Sequence, residues 1–196
     1  MSFAKALALG AALCGAGLQA AAQPAAERFA ACLACHGPGG VSQLALTPSL
    51  AGQPSFYAVT QLFLFREGRR QSEAMTAVAK GMSDADLRVF SDLIGKLPAP
   101  AAGAASGGNA ARDAKGAVLV ERLRCASCHG SDFAGGQQVP RLAGQREDYL
   151  AKALTEFRAG TRIGYTSAMS EALAGTTPDE LAVLAGYLAQ FSKRPP

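Results

Sequence analysis

The feature that most constrains this chain is a pentapeptide, Cys-x-x-Cys-His, which occurs at residues 32–36 and again at residues 125–129. This is the pattern of a c-type haem attachment site, in which two thiols bond covalently to one haem and the adjacent histidine binds its iron. Two copies predict two covalently attached haem c groups. The predicted attachment residues are Cys32, Cys35, Cys125 and Cys128, and the predicted proximal iron ligands are His36 and His129.

A Cys-x-x-Cys pair also occurs in zinc sites, in thiol redox sites and in disulfides. Both copies here place the histidine directly after the second cysteine, whereas structural zinc motifs usually space their histidines apart. Neither copy has a zinc-finger spacing. We therefore favour haem attachment over a zinc site or a disulfide.

Residues 1–22 have the pattern of a cleaved secretory signal peptide. Lys5 supplies the positive charge, residues 6–18 form an apolar run, and residues 20–22 offer a cleavage site. The apolar run is shorter than the roughly 20 residues that a helix needs to span a bilayer. A retained membrane anchor is the alternative to cleavage. Cleavage also removes Cys14, which leaves four cysteines for two haems. Since haem c is attached outside the cytoplasm, we predict a periplasmic protein.

The charge of the mature chain excludes some classes of partner. Removal of Lys5 leaves 18 basic and 15 acidic residues, a formal charge of +3, and two ferric haems with ionised propionates add about −1 each. The basic residues are interspersed with acidic ones, so we predict no binding of nucleic acid. A nearly neutral carrier is expected to meet redox proteins through small, transient contacts.

The two halves of the chain are copies of one domain. The attachment motifs match at an offset of 93 residues, and segment 48–53 matches segment 140–145 at an offset of 92 as Pro-x-Leu-Ala-Gly-Gln. An uncharged stretch rich in Ala, Gly and Pro separates the copies and predicts a linker. We therefore predict domains at residues 23–97 and 112–196, joined by a linker at residues 98–111.

Each half is predicted to be all-α. One helix leads into the attachment motif, at residues 27–32 and 113–125, and a second follows the Ala-Gly-Gln turn. A third begins with a capping box at Ser83 and at Thr177. Its apolar positions have helical spacing and define one face, formed by Leu87, Phe90 and Ile94 in the first copy and by Leu181, Leu184 and Leu188 in the second. No alternation is long enough to predict a strand.

The second axial ligand of each haem iron determines the function of the protein. The chain has only two histidines, so two histidines on one iron are excluded unless a partner donates one. Met75 and Met169 lie at matching positions, 39 and 40 residues after their histidines, and a thioether ligand raises the iron potential. Packing in the core is the alternative for both, and it is the prediction for Met82, which has Thr176 at its repeat position. Lys, Tyr or an open iron complete the alternatives.

Other residues are candidates for contacts around the haem. Pro48 and Pro140 follow their histidines by 12 and 11 residues, and a carbonyl there would accept the Nδ1–H of the histidine; a simple turn proline is the equal alternative. For haem propionates the sequence offers several side chains, each of which we expect more readily in ordinary packing: Tyr57, Tyr149, Arg66, Arg141 and Arg158.

The two Cys-x-x-Cys-His domains, the Pro-x-Leu-Ala-Gly-Gln and Phe-Arg-x-Gly segments, and a Met before Ser/Thr-x-x-Asp/Glu together resemble the dihaem cytochrome c4 family. The resemblance covers residues 25–97 and 112–192. It implies two class I cytochrome c folds facing each other, each with a His/Met haem, in the periplasm. It implies a shuttle of electrons from membrane complexes such as the cytochrome bc1 complex to a terminal oxidase. It also favours the contact between the proline carbonyl and the histidine.

The predicted function is single-electron transfer by a carrier that is not an enzyme, present as a monomer or weak homodimer with transient association at the membrane surface. One alternative is a dedicated haem subunit of a larger dehydrogenase or oxidase. Another is a dihaem peroxidase, which needs a distal acid–base residue over an open iron, and the chain has no spare histidine for it. A haem-based gas sensor needs an output module, which the sequence does not show.

Overall fold

The computed structural model describes residues 24–100, 110–162 and 167–191. The predicted signal peptide and residues 101–109 of the predicted linker lie outside these ranges, and the domain boundaries stay a prediction. The helices in chain order are α1 Ala25–His36, α2 Ser55–Arg66, α3 Glu73–Ala79, α4 Asp84–Gly95, α5 Ala110–Arg122, α6 Ala126–His129, α7 Glu147–Arg158, α8 Ala168–Leu173 and α9 Pro178–Gln190.

The all-α fold is confirmed. Within the described ranges, extended pairing is limited to one isolated bridge between Gly136 and Val139. No described helix has the length and apolar character that crossing a membrane requires. Helix α5 begins at Ala110, three residues before the predicted start, so the helical copy extends into the predicted linker.

The helices pack around two separate apolar clusters, one in each half of the chain. In the first half α2 packs against α4, and α1 also contacts α4. In the second half α9 packs against both α5 and α7. The faces predicted for the capped helices are the buried ones: Leu87, Phe90 and Ile94 on α4, and Leu181, Leu184 and Leu188 on α9.

The capping boxes explain where these last helices begin. The Ser83 hydroxyl accepts from the Asp86 backbone N–H, and the Asp86 carboxylate accepts from the Ser83 backbone N–H. Thr177 and Glu180 form the same reciprocal pair at α9, where Pro178 occupies the first turn. Each box satisfies donors that the first turn of a helix otherwise leaves unpaired.

Two short helices were not predicted. Helix α3 has seven residues and α8 has six, and they carry Met75 and Met169 respectively. Ser72 caps α3, and its hydroxyl accepts from the Met75 N–H at 3.4 Å. Helices of this length are too short for hydrophobic periodicity to reveal.

Candidate haem-binding sites

His36 ends α1 and is held by the backbone that follows the first motif. His36 is 6% exposed, and its Nδ1 lies 2.8 Å from the Pro48 carbonyl oxygen. Because a carbonyl can only accept, Nδ1 carries the proton and Nε2 keeps its lone pair. Burial lowers the pKa of His36, and the Pro48 hydrogen bond opposes that effect only in part. The ring is therefore a neutral imidazole with one nitrogen available to a metal.

His129 repeats this arrangement in the second half. It ends α6, is 5% exposed, and its Nδ1 donates to the Pro140 carbonyl at 2.9 Å. Burial lowers its pKa, again against the opposing hydrogen bond from the proline carbonyl. Of the two alternatives left open for Pro48 and Pro140, the histidine contact is therefore the correct one.

A glycine follows each histidine and turns the chain toward its proline. Gly37 and Gly130 have φ values of 84° and 79°, where residues with side chains are strained. A Cβ at Gly37 would also collide with the Val41 carbonyl group. The glycine after each Cys-x-x-Cys-His motif is thus required by the backbone that returns to the histidine ring.

None of the four motif cysteines is joined to another in a disulfide. Cys35 and Cys128 are exposed, whereas Cys32 and Cys125 are half-buried against the apolar clusters of their halves. Burial raises the pKa of Cys32 and of Cys125, so both favour the thiol form. Among the residues that the structure describes, no group of three or more His, Cys, Asp or Glu side chains is arranged to hold a metal ion.

The structure places one methionine candidate on each cluster. Met75 packs against the first cluster together with Cys32, and Met169 packs against the second together with Cys125. Met82 also touches the first cluster. Packing and iron ligation are therefore both compatible with the positions of Met75 and Met169, and their role as ligands stays a prediction.

The two halves meet through a reciprocal pair of glutamines from the repeated Pro-x-Leu-Ala-Gly-Gln segment. Gln145 Oε1 accepts from the Ser49 N–H at 2.7 Å, and its Nε2 donates to the Ser49 carbonyl at 2.9 Å. Gln53 makes the same two bonds to the backbone of Arg141, at 3.1 and 3.0 Å. Both glutamines are 6% exposed. The repeat is visible in the sequence, but the exchange of partners between the halves is not.

A second group at this boundary consists of two tyrosines and two arginines. Arg70 donates to the Tyr149 hydroxyl at 2.7 Å, and Arg162 donates to the Tyr57 hydroxyl at 3.3 Å. Burial alone would raise the pKa of Tyr149, but the charges of Arg162 and Arg70 overcome it and hold that pKa at about 8. The pKa of Tyr57 is raised, chiefly by burial. The group carries two positive charges and is suited to anions.

These arginines were missed at the level of sequence. Arg70 and Arg162 are separated by the same 92 residues as Tyr57 and Tyr149, and this shared offset is the signal that would have found them. Of the arginines that were proposed, Arg66 bonds Asp84 and Glu67, and Arg141 Nε bonds the Ala143 carbonyl. Arg66 is therefore occupied by acidic side chains of its own half.

One further clamp between the halves has no symmetric copy. The Asp148 carboxylate accepts from the Leu46 N–H at 3.0 Å and from Arg146 at 2.7 Å. Arg146 also donates to the Ser42 carbonyl at 3.3 Å. The repeat positions of Arg146 and Asp148 are Pro54 and Phe56, which cannot form this ion pair.

The residues present fit a covalently attached haem in each half. Each site combines two unpaired thiols, a buried imidazole whose free nitrogen is Nε2, and a thioether on the same apolar cluster. An imidazole fixed by a carbonyl and a soft sulfur are the donors that c-type haem iron uses.

Comparison with known proteins gives the same assignment. The cytochrome c family model matches residues 114–192. Cytochrome c4 of Thiocapsa roseopersicina is 33% identical over 169 residues, which cover 83% of this chain and 88% of that protein. A thiosulfate dehydrogenase electron acceptor of Stutzerimonas stutzeri is 33% identical over 186 residues, covering 90% of this chain and 84% of the relative.

Among solved structures, reduced recombinant cytochrome c4 from Pseudomonas stutzeri superimposes with a TM-score of 0.77 at 27% sequence identity. The match covers 86% of this chain and 97% of the solved one. The tandem arrangement of two class I cytochrome c folds is thereby confirmed.

Proposed function

Because the chain belongs to the cytochrome c4 family of dihaem electron carriers, we propose that His36 and Met75 bind one haem iron and that His129 and Met169 bind the other. The family carries covalently bound haem c, and the chain has two such groups. We assign their attachment to the thiols of the two motifs: Cys32 and Cys35 in the first half, Cys125 and Cys128 in the second.

The observation that carries this proposal is the matched geometry of the two histidines. Both rings are buried, and both Nδ1–H groups donate to a proline carbonyl. In each half this hydrogen bond fixes the ring and leaves the Nε2 lone pair free to bind iron. The chain contains no third histidine. The methionines on the same clusters therefore supply the best available second ligands.

When bound, the haem iron supplies a one-electron couple. The protein's part is to keep its ligands still while the charge changes. The Pro48 and Pro140 carbonyls fix the histidine rings, and because each Nδ1 proton stays in a hydrogen bond, no proton needs to leave. The apolar clusters keep water from the ligands, which limits solvent rearrangement.

We further propose that Arg70 and Arg162 serve the haem propionates. They lie half-buried at the boundary between the halves, where they donate to the neutral Tyr149 and Tyr57 hydroxyls. Propionates placed there would balance two guanidinium charges in a region from which much of the water is removed.

For the setting, we propose a periplasmic carrier between respiratory complexes, for example from the cytochrome bc1 complex to a terminal oxidase. The signal-peptide pattern of residues 1–22 supports export, and the nearly neutral holoprotein supports transient docking. A second candidate is the acceptor of a periplasmic dehydrogenase, which is favoured by the similarity to the thiosulfate dehydrogenase electron acceptor of Stutzerimonas stutzeri. Stopped-flow reduction by purified bc1 complex and by thiosulfate dehydrogenase, in parallel, separates the two.

The ligand assignment is tested by adding carbon monoxide to the dithionite-reduced holoprotein and recording visible spectra. We expect no change in the spectrum of the wild type, because methionine occupies the second axial position of both irons. Met75→Ala and Met169→Ala should each open one haem to carbon monoxide and lower its potential. Met82→Ala is the matched control, since Met82 packs on the same cluster as Met75. Binding in the wild type, or opening by Met82→Ala, would contradict the assignment.

A further inference from the structure

The reciprocal glutamines lie one peptide group away from the histidine rings. The Pro48 carbonyl, which accepts from His36 Nδ1, and the Ser49 N–H, which donates to Gln145 Oε1, belong to the same peptide bond. A continuous chain of hydrogen bonds therefore runs from the first histidine, through one peptide group, to a side chain of the second half.

The same chain exists in the opposite direction. The Pro140 carbonyl accepts from His129 Nδ1, and the Arg141 N–H of the same peptide group donates to Gln53 Oε1 at 3.1 Å. Each histidine is thus connected to a glutamine of the other half. The connection does not depend on direct contact between the two histidines.

We propose that Gln145 and Gln53 are positioning residues that tune the haem of the opposite domain, so that each domain sets part of its neighbour's reduction potential. This inference rests on the proposed ligation of iron by His36 and His129. It goes further because it assigns a redox role to residues that touch neither the haem attachment motif nor an axial ligand.

The physical reason is the polarisation of an amide. A peptide whose N–H is hydrogen-bonded becomes a stronger acceptor at its carbonyl, and linked hydrogen bonds strengthen one another. A stronger carbonyl acceptor pulls on Nδ1–H and makes the imidazole a more basic ligand. A more basic ligand favours ferric iron and lowers the potential, so loss of the glutamine should raise it.

Burial makes the effect larger than it would be at the surface. Both glutamines are nearly inaccessible to solvent, and Ser49 is 3% exposed. Water is therefore poorly placed to replace the lost acceptor. The bond from Ser49 to Gln145 is 2.7 Å long and that from Arg141 to Gln53 is 3.1 Å, so both peptide groups are hydrogen-bonded to their glutamine.

The test uses the holoprotein with Gln145→Met and, separately, Gln53→Met, which keep chain length but remove the amide. Potentials are measured by spectroelectrochemistry, and each is assigned to its domain from the proton NMR signals of the axial methionines. The exchange rate of each histidine Nδ1–H is measured in parallel. Gln43→Met and Gln138→Met are the controls, because both glutamines are exposed and lie in the corresponding loops.

We expect a crossed pattern, in which each substitution shifts the potential of the haem in the opposite domain. Gln145→Met should raise the potential of the first-domain haem and speed exchange of the His36 Nδ1–H, while Gln53→Met should do the same at the second-domain haem and His129. The controls should leave both potentials unchanged. The Asn side chain is too short to reach the other domain. Gln145→Asn and Gln53→Asn should therefore give the same crossed pattern, although both variants keep a polar amide at the substituted position.

Three outcomes would overturn the inference: no shift, equal shifts of both haems, or a shift confined to the variant's own domain. The last two are what general loosening of the boundary would produce. The far-red absorption of ferric haem bound by methionine sulfur is recorded for every variant. If this absorption is intact while the crossed pattern is absent, only the role of the glutamines is refuted. If the wild type lacks this absorption, the proposed ligation by methionine is refuted.

Discussion

Replacing Asp148 with Asn tests the Arg146–Asp148 ion pair of the second domain, whose two side chains also hydrogen-bond to the backbone of the first domain. The carboxylate accepts from Arg146 and from the Leu46 and Tyr149 backbone N–H groups. The hydrogen bond from Arg146 is the largest cause that lowers its pKa, from 3.8 to about 2, against the opposing effect of burial. Asn keeps an oxygen acceptor for Leu46 but removes the charge, so the variant isolates the ionic part of the clamp.

The size of the effect follows from that pKa. At about 1.4 kcal/mol per pKa unit, lowering the pKa from 3.8 to about 2 sets an upper bound of about 2.5 kcal/mol. The Asp148 side chain is 33% exposed, so solvent screening reduces the contribution to about 1 kcal/mol. Because the folded pKa is depressed, this stability is present above the unfolded pKa, near 4, and is lost as the pH falls through about 2.

The assay is urea unfolding of the two holoproteins at a series of pH values from 7 to 3. We expect the wild type to be more stable than Asp148→Asn at pH 7, and the difference to shrink to about half at pH 3. Asp84→Asn is the control, because Asp84 also pairs with an arginine of its own domain but is 70% exposed and is not part of the clamp to the other domain. A difference that is absent at pH 7, or that does not change with pH, would refute the reasoning.

Two further predictions concern the fold around each haem. Gly116→Ala should lower the melting temperature, because its Cβ would lie 2.5 Å from Tyr187 Cβ where α5 crosses α9. Overpacking of this kind costs about 1–3 kcal/mol. In the same thermal melt Gly175→Ala should leave the melting temperature unchanged, because its Cβ would meet open space. Ser83→Ala should cost about 1 kcal/mol by removing the α4 cap, and an unchanged urea midpoint would show that the capping box contributes nothing.

The parts of the fold that the sequence predicted are those in which a local pattern has one physical outcome. A capping box followed by apolar residues at helical spacing can begin only one helix with one buried face, and α4 and α9 are built that way. Cys-x-x-Cys-His likewise requires the histidine beside its thiols. These features depend on neighbours within a few turns of the chain.

The contacts between the domains depend on where two distant segments meet. Gln145 looks like any turn residue until Ser49 is placed against it, and Arg70 looks like a surface charge until Tyr149 is placed beside it. Matching offsets in the repeat identify such residues as candidates. They do not reveal that the partners are exchanged between the copies.

The exchanged glutamines and the clamp of Arg146 and Asp148 have different consequences for a protein with two haems. The glutamines make the same kind of contact in both halves, because the duplicated segment gives each half the same peptide group and the same acceptor. Asp148 and Arg146 act on one side only, since Phe56 and Pro54 stand at their repeat positions. Among these contacts the clamp is the one without a matched copy, so we expect it to contribute to any difference between the two potentials.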